Sequence, residues 1–527
     1  SSGGKAAKGG FAIGGVSAGK GVVKDIFVAT PDSTRVYVNA DTSDAAKGGF
    51  VVGELSNNKA TTNSYMNITA DNYLIGYDAG KYISSGKYNS LLGYQTGGLL
   101  TYDNNNVMLG YQAGDSCMSS NNTFIGVKAG SKSMFGDNTY IGSYAGSRRT
   151  GSSNVAIGTN AGRWGSLTSV AAGSGNCNVY IGDNAGAYAT FGRNVCIGAE
   201  SGKYLEGNIG NGNGCNVFVG FLSGTGFENR QNMGTLNIGI GQYTGRNLTT
   251  GYKNVFIGSD AGAQNAEGFS NVFIGSEAGK NNRNANYNVF VGEEAGKSNY
   301  SGANNVFMGR RAGAGNNNTS GSNNVFIGTY AGYRSNGSNN IHIGYYAGYS
   351  GTEQTESYRL RIGQNNLIYG ELDNKRVGIN TTDVNGMAFY VNGSAGGTGG
   401  WNAKSDQRLK TNIKPLQGAL QSVLKLQGVT FNWKDEINHR PGQNIGFIAQ
   451  DVKEILPEIV SGGGKDEQGN EIYYSIEYAT LTPVLVEAIK ELSNENKELN
   501  EAIKEQQELI NKLIEELKTV KEQIKTK

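Results

Sequence analysis

The chain has few of the residues on which enzymes and secreted scaffolds depend. Its 527 residues include five prolines, four cysteines, three tryptophans and two histidines. Cys117, Cys177, Cys196 and Cys215 form no close pair of the kind a zinc site or redox motif needs, so neither a metal nor another cofactor is expected. Cys177 and Cys215 each precede an Asn of the repeat described below and lie two repeats apart. At about 4.8 Å per stacked strand they stand about 10 Å from each other, beyond disulfide reach, and all four are expected as free, buried thiols. His342 and His439 are isolated, which suits packing or surface positions better than a ligand or base. No apolar run approaches the length of a membrane span, so no membrane insertion is expected. The opening at Ser1 has no signal-type apolar region, so any leader or anchor is expected to lie upstream. Lys and Arg (46) nearly balance Asp and Glu (44) without forming a basic stripe, which argues against a nucleic-acid partner.

Glycine and a single phrase dominate what is present. The 82 glycines are about twice the usual share. Sixteen times between residues 72 and 348 the chain returns to Asn, two or three apolar residues, Gly, two variable residues, then Ala-Gly or a close variant. Asn254-Val255-Phe256-Ile257-Gly258 with Ala261-Gly262 is a clean copy. The phrase glycines Gly241, Gly258, Gly275, Gly292 and Gly309 fall at steps of 17, and steps of 16 or 17 prevail elsewhere, the length of one coil in a stacked strand solenoid.

Alternation along a strand puts Val255 and Ile257 on one face and Phe256 on the other, and both faces are apolar. The expectation is that each coil encloses Val and Ile, leaving an outward aromatic row (Phe124, Tyr140, Tyr180, Phe218, Phe256, Phe273, Phe290, Phe307 and Phe326) to be covered by identical chains. The phrase Asn is expected to stack into an amide ladder and the glycines to form tight corners. These phrases, Asn154-Val155-Ala156-Ile157-Gly158 above all, resemble the head repeats of trimeric autotransporter adhesins, in which short coils stack into a roll and three rolls associate. The coils here are slightly longer, and their third position is mostly aromatic.

Three steps stretch to between 21 and 24 residues, around 163–177, 203–215 and 225–236, and insertions in solenoids commonly form contact loops. Trp164, Tyr204 and Phe227 sit there as candidate receptor contacts for a glycan or protein, although an insertion packing its own aromatic is the commoner use of such residues. Residues 1–70 read as a strand-rich shaft segment cut off at its start, because Lys8-Gly9-Gly10-Phe11 is echoed at Lys47-Gly48-Gly49-Phe50. Two strands about Pro31-Asp32-Ser33 are expected within it. Residues 71–350 are the solenoid, and 351–403 a neck with short strands followed by a Gly-rich linker.

After residue 404 the composition shifts, and four of the five prolines follow. Ser405-Asp406-Gln407-Arg408-Leu409-Lys410, Gly446-Phe447-Ile448-Ala449-Gln450-Asp451-Val452 with Pro457, and Tyr478 through Pro483 to Leu492 resemble the intramolecular chaperone domain that ends many phage tail fibres, tailspikes and endosialidases. The resemblance covers about 404–492, and residues 404–484 are read as the chaperone and auto-processing domain. It implies that the domain trimerises, guides folding of the preceding fibre and, in many members, cuts itself off before the signature serine, with Ser405 and Lys410 as the catalytic dyad and Lys404–Ser405 as the cleaved bond. A serine hydroxyl needs a base, and Lys410 suits that part if burial lowers its pKa. The same residues also suit a plain capped turn with a solvated lysine. Over 485–527 heptads set Ile489, Asn496, Ile503, Ile510, Leu517 and Ile524 at a, and Leu485, Leu492, Leu499, Gln506, Leu513 and Val520 at d. Leu509 and Ile514 widen the seam beyond what two helices cover, which favours a trimeric coiled coil.

The fold class expected is thus mainly β: a homotrimeric fibrous β-solenoid (β-roll) shaft, then a small α+β chaperone domain ending in a coiled coil. The function expected is an extracellular attachment fibre, on a virion tail or bacterial cell surface, whose only chemistry is a single-turnover self-cleavage without external substrate. A polysaccharide-degrading tailspike is the rival, because Asp260, Glu277, Glu293 and Glu294 recur in the repeats, although no insertion is large enough to build a cleft around them. An ice-binding solenoid wants flat rows of Thr, and the rows here are Asn and aromatic.

Overall fold

Each phrase folds as a three- or four-residue strand that pairs in parallel with the equivalent strand one coil on. The structure is a computed structural model that describes residues 64–164, 175–190, 192–205, 214–227, 234–315, 321–349, 354–384, 387–393, 404–434, 442–465 and 471–526, with the backbone of strands Phe11–Gly15, Lys24–Thr30, Ser33–Val36 and Phe50–Gly53. The chain divides into two compact units, 1–367 and 368–527.

In the first unit, sixteen rung strands from Asn72–Ile75 to Ile341–Ile343 form one unbroken parallel ladder, the β-solenoid read from the repeat. Register is kept residue for residue: Val255 pairs with Val272, Phe256 with Phe273 and Ile257 with Ile274. A further strand, Arg359–Ile362, continues the ladder in parallel, so the solenoid extends past residue 350 into the segment assigned to the neck. Antiparallel strands Phe50–Gly53 and Ser64–Ile68 lead into the first rung. The expected pair around residues 31–33 is present as Lys24–Thr30 against Ser33–Val36.

The inner and outer faces are the reverse of those expected. Phe124, Tyr140, Tyr180, Phe218, Phe256, Phe273, Phe290 and Phe326 are fully buried inside the coil, and Phe307 nearly so, whereas Val and Ile face outward. The parity of the phrase Asn explains the reversal. Asn254 and Phe256 are two residues apart and share a face, and Asn254 is itself fully buried. The Asn271 side-chain nitrogen donates to Asn254 Oδ1 at 3.1 Å and to the Ala285 carbonyl at 2.9 Å, and the Asn271 backbone N–H donates to the same Oδ1 at 3.0 Å. A buried amide so satisfied carries little desolvation penalty, and it fixes the inward face. One ring per rung then stacks at the strand spacing: Phe273–Phe290, Phe290–Phe307 and Phe307–Phe326 centroids lie 4.8, 4.7 and 4.8 Å apart.

Two glycines per coil make this possible. A Cβ on Gly258 (φ 122°) would come within 2.6 Å of the Gly275 carbonyl carbon on the next rung, and one on Gly262 (φ 59°) within 2.6 Å of the Phe256 ring. Corners do not rest on glycine alone, since Asp260, Glu277 and Glu294 occupy the left-handed region at equivalent positions. The expectation of four buried thiols also needs correction. Cys117 and Cys196 are buried, but Cys177 is exposed and Cys215 half-buried, because both occupy the left-handed corner just before the phrase Asn.

The aromatic row ends at His342, whose ring stacks on Phe326 at 4.7 Å, and at Arg361, whose Nη1 lies 3.4 Å from His342 Nε2. Arg361 is held by Gln354 at 3.3 Å and by an ion pair with Glu356. Burial, assisted by the Arg361 charge, pushes the His342 pKa down from 6.5 to about 3. Its contribution to stability is therefore complete above pH 6.5 and is lost progressively as pH falls, because the unfolded chain takes up a proton that the folded one refuses. At pH 5 the expected loss is about 2 kcal/mol. Hydrogen exchange of residues 325–362 should accelerate between pH 7 and 5, after correction for intrinsic rates, and His342→Phe should remove that acceleration.

In the second unit, Ile368–Glu371, Arg376–Ile379 and Phe389–Val391 form a small sheet. A compact α+β region follows. Helices α1 (Ala419–Lys425) and α2 (Ala449–Ile455) and the first turns of α3 (Leu481–Lys525) enclose a core of Leu420, Val452, Ile459, Leu481, Val484 and Ala488. Helix α3 runs unbroken for 45 residues across the expected boundary at 484/485. Beyond Ala488 its seam is bare, with Leu499 59% and Leu517 65% exposed. Among the described residues no helix is long and apolar enough to cross a membrane.

Candidate functional site: the Ser405–Lys410 turn

The signature segment is a single tight turn. Asp406 caps the short helix Gln407–Leu409, accepting the Arg408 N–H at 2.9 Å and pairing with the Arg408 guanidinium at 2.7 Å. Hydrogen bonding from Arg408 holds the Asp406 carboxyl below its ordinary pKa. The cap folds the backbone back on itself, and Lys410 Nζ donates to Ser405 Oγ at 2.5 Å. The capped turn is thus what brings the two side chains together. Lys404, Ser405 and Lys410 are all exposed, so the described residues do not supply the burial that would tune Lys410.

The other two family motifs meet in space. Tyr478 Oη accepts the Phe447 N–H at 3.0 Å, and a Cβ on Gly446 would lie 2.7 Å from that oxygen, which is why glycine suits the position. Glu491 on α3 accepts the N–H groups of Ala419 at 3.2 Å and Leu420 at 2.7 Å, so a carboxylate about 70 residues downstream caps α1. These bonds, that from Leu420 first, hold the Glu491 carboxyl below its ordinary value. Sequence spacing gave no hint of this long-range cap. Glu491→Ala should speed hydrogen exchange across α1, and Glu487→Ala, whose side chain pairs with Lys490 at 2.6 Å, should leave it unchanged.

Trp164, Tyr204 and Phe227 lie half-buried on three different rungs, ten or eleven residues after the phrase Asn in each case. Tyr204 stacks on Tyr188 at 5.2 Å and has Lys203 over its ring. The insertions that follow them, 165–174, 206–213 and 228–233, fall outside the described residues. The carboxylates weighed for glycoside hydrolysis are engaged along one face: Asp260 with Lys280 at 3.7 Å, Glu277 with Lys280 at 2.7 Å and with Lys297, Glu294 with Lys297 at 2.9 Å and with Arg311, and Glu293 with Arg310 at 3.2 Å. Glu277 and Glu294 are accordingly held below the usual carboxylate range by these cations.

One comparison with known proteins covers this segment. Residues 405–461 match the family described as chaperone of endosialidase. The long tail fiber protein Gp37 of Enterobacteria phage K3 is 34% identical over 169 residues, which are 28% of this chain and 13% of that protein. Gp37 of Enterobacteria phage T2 is 40% identical over 100 residues, 18% of this chain and 7% of its own. For Gp37 of Enterobacteria phage M1 the figures are 38% over 99 residues, 18% and 38%. The chain thus spans between 7% and 38% of the length of these relatives. A β-solenoid of stacked rungs is followed here by a C-terminal segment similar to the chaperone of endosialidase family, in a chain similar over part of its length to phage long tail fibres.

Proposed function

We propose that this chain is a segment of a phage tail fibre that attaches the virion to its host, works as a homotrimer, and carries a C-terminal intramolecular chaperone that drives trimer folding and then cuts itself off. The observation that carries this reading is the chaperone match at 405–461, which follows an unbroken rung ladder in the same chain. Two bare apolar surfaces support association of three copies. The outward aliphatic columns include Ile274 at 36% and Met308 at 43% exposure, and the seam of α3 is wide enough for a three-stranded coil. Association of the copies therefore falls to the aliphatic columns and the helix seam, since the aromatic row is already covered within each chain.

In the cleavage step Lys410 accepts the Ser405 hydroxyl proton as Oγ attacks the Lys404 carbonyl carbon. The Lys404–Ser405 C–N bond breaks, the proton passes to the released Ser405 amine, and the resulting ester is opened by water to a Lys404 carboxylate and a free serine hydroxyl. Trp164, Tyr204 and Phe227 are the receptor contacts in this reading, for a host surface glycan or protein. The tailspike alternative is not favoured, since its carboxylates are bound up in ion pairs. An excess of purified trimer should block adsorption of a phage carrying this fibre to its host, and unaltered adsorption would remove the attachment reading.

A further inference from the structure

Charge carried just beyond a rung strand is neutralised in place on several rungs. The second and fifth residues after the phrase Gly meet there as an acid and a lysine, Asp78 with Lys81 at 3.0 Å, Glu200 with Lys203 at 3.2 Å and Glu277 with Lys280 at 2.7 Å. Three consecutive rungs, those of Thr123–Ile125, Thr139–Ile141 and Val155–Ile157, break the pattern, because Lys128, Tyr144 and Asn160 stand in the acid's position. Residues 116–182 contain five basic side chains and a single acidic one. Arg149 is buried inside the coil, which leaves Lys132 exposed and Lys128, Arg148 and Arg163 half-buried at the surface. The acid, Asp137, sits at the corner before its strand and accepts Asn121 Nδ2 at 3.0 Å, whereas the four cations all follow their strands. Among the described residues none of the four makes an ion pair.

Packing holds these cations together. Lys128 Nζ lies 5.8 Å and Arg163 Cζ 5.0 Å from the centre of the Tyr144 ring. Arg163 Nη1 also donates to Asn160 Oδ1 at 3.0 Å, a neutral acceptor that leaves its charge uncompensated. The Arg148 N–H donates to the Ser131 carbonyl at 2.7 Å, which seats Arg148 beside Lys132 on the rung before. Like charges held side by side repel, and an anion that bridges them removes the repulsion. The cations are strung along the solenoid axis instead of converging on a point, so the anion they suit is extended. Lys128 and Arg163 are two rungs apart, about 10 Å, which is also about the length of a disaccharide in an extended glycan. Acids return at Asp183 and Glu200 on the next two rungs. A track this short offers few phosphate contacts to a nucleic acid, and its ring is covered by cations instead of open to a stacked base.

We propose that Lys128, Lys132, Arg148 and Arg163 form a binding stripe for an acidic polysaccharide, a chain of carboxylate-bearing sugars that runs along the solenoid axis. The attachment reading supplies the setting, a host surface coated with such a glycan, while the binding itself is a property of the purified chain.

Oligogalacturonate, a linear chain of uronic acid sugars, should bind full-chain protein in calorimetric titration and dissociate as ionic strength rises, and neutral dextran should not bind. Replacing all four cations by Gln should weaken binding at least about tenfold without lowering the melting temperature, and Lys280→Gln should leave it unaltered. Should the fourfold variant fail to fold, Lys132→Glu, at the most exposed of the four, gives the answer by charge reversal. Absence of oligogalacturonate binding, equal binding by the fourfold variant, or tighter binding of single-stranded DNA of equal charge would overturn the proposal. Adsorption separates this inference from the attachment reading. Protein that binds oligogalacturonate through the stripe yet leaves adsorption unaltered keeps the site and loses attachment, whereas protein that blocks adsorption without binding oligogalacturonate loses the site alone.

Discussion

Phe290→Ala should destabilise the solenoid by about 3–5 kcal/mol, the range for removing a fully buried aromatic from a site that cannot collapse. Phe290 is such a residue: it is fully buried, stacked between Phe273 and Phe307, and packed over Gly296, whose missing Cβ would lie 2.4 Å from its ring. Rungs stabilise mainly their neighbours, so the loss should concentrate in the adjoining coils. Val289→Ala, on the outward face of the same strand, should cost the isolated coil less than about 1 kcal/mol, because that side chain is only partly removed from water. The two substitutions thus separate inside from outside. Denaturant unfolding followed by hydrogen exchange of residues 271–308 reads both, and a neutral Phe290→Ala would contradict the inward assignment.

The reversal of faces shows where sequence reasoning ran short. The period, the Asn ladder and the long helix were legible because each rests on spacing within one segment, whereas the α+β region was expected from the family resemblance. In a strand as short as Val255-Phe256-Ile257 both faces are apolar, and hydrophobicity alone cannot choose between them. The deciding signal was polar. Asn254 shares parity with Phe256, and an amide that stacks on copies of itself can be buried at little cost. Ring stacking at strand spacing then favours one aromatic per rung inside. Arg149 was illegible for a different reason, since its column holds Leu, Cys, Ser and Asn on other rungs and only the position counted from the phrase Asn marks it as inward. The Ser405–Lys410 pairing was expected from the family resemblance, and five residues around an Asp-capped turn are what bring the two side chains into contact. The exposure of that pair was not, because it depends on what else packs against the turn.

That exposure shapes the second large effect. A solvated lysine is protonated near neutral pH and makes a poor base, whereas a desolvated one is a competent partner for a serine hydroxyl. In the proposed function the desolvation comes from the other two copies, so cleavage should follow association. Full-length protein refolded at rising concentration should release a fragment beginning at Ser405 with a rate that increases with concentration until the trimer saturates. A monomeric variant, made by placing Asp at Ile503, Ile510 and Leu517 in the bare seam of α3, should stay intact. Ser405→Ala should lose cleavage altogether, a fall of at least about a thousandfold, as expected when the sole nucleophile of a covalent mechanism is removed. Lys410→Arg, which keeps the charge but cannot act as a base, should fall nearly as far while still trimerising. Denaturing gels with intact mass analysis, set beside sedimentation of the same samples, report both properties. Cleavage that persists in Ser405→Ala would eliminate Ser405 as nucleophile, and cleavage of the unmutated chain at a rate independent of concentration would break the link to assembly.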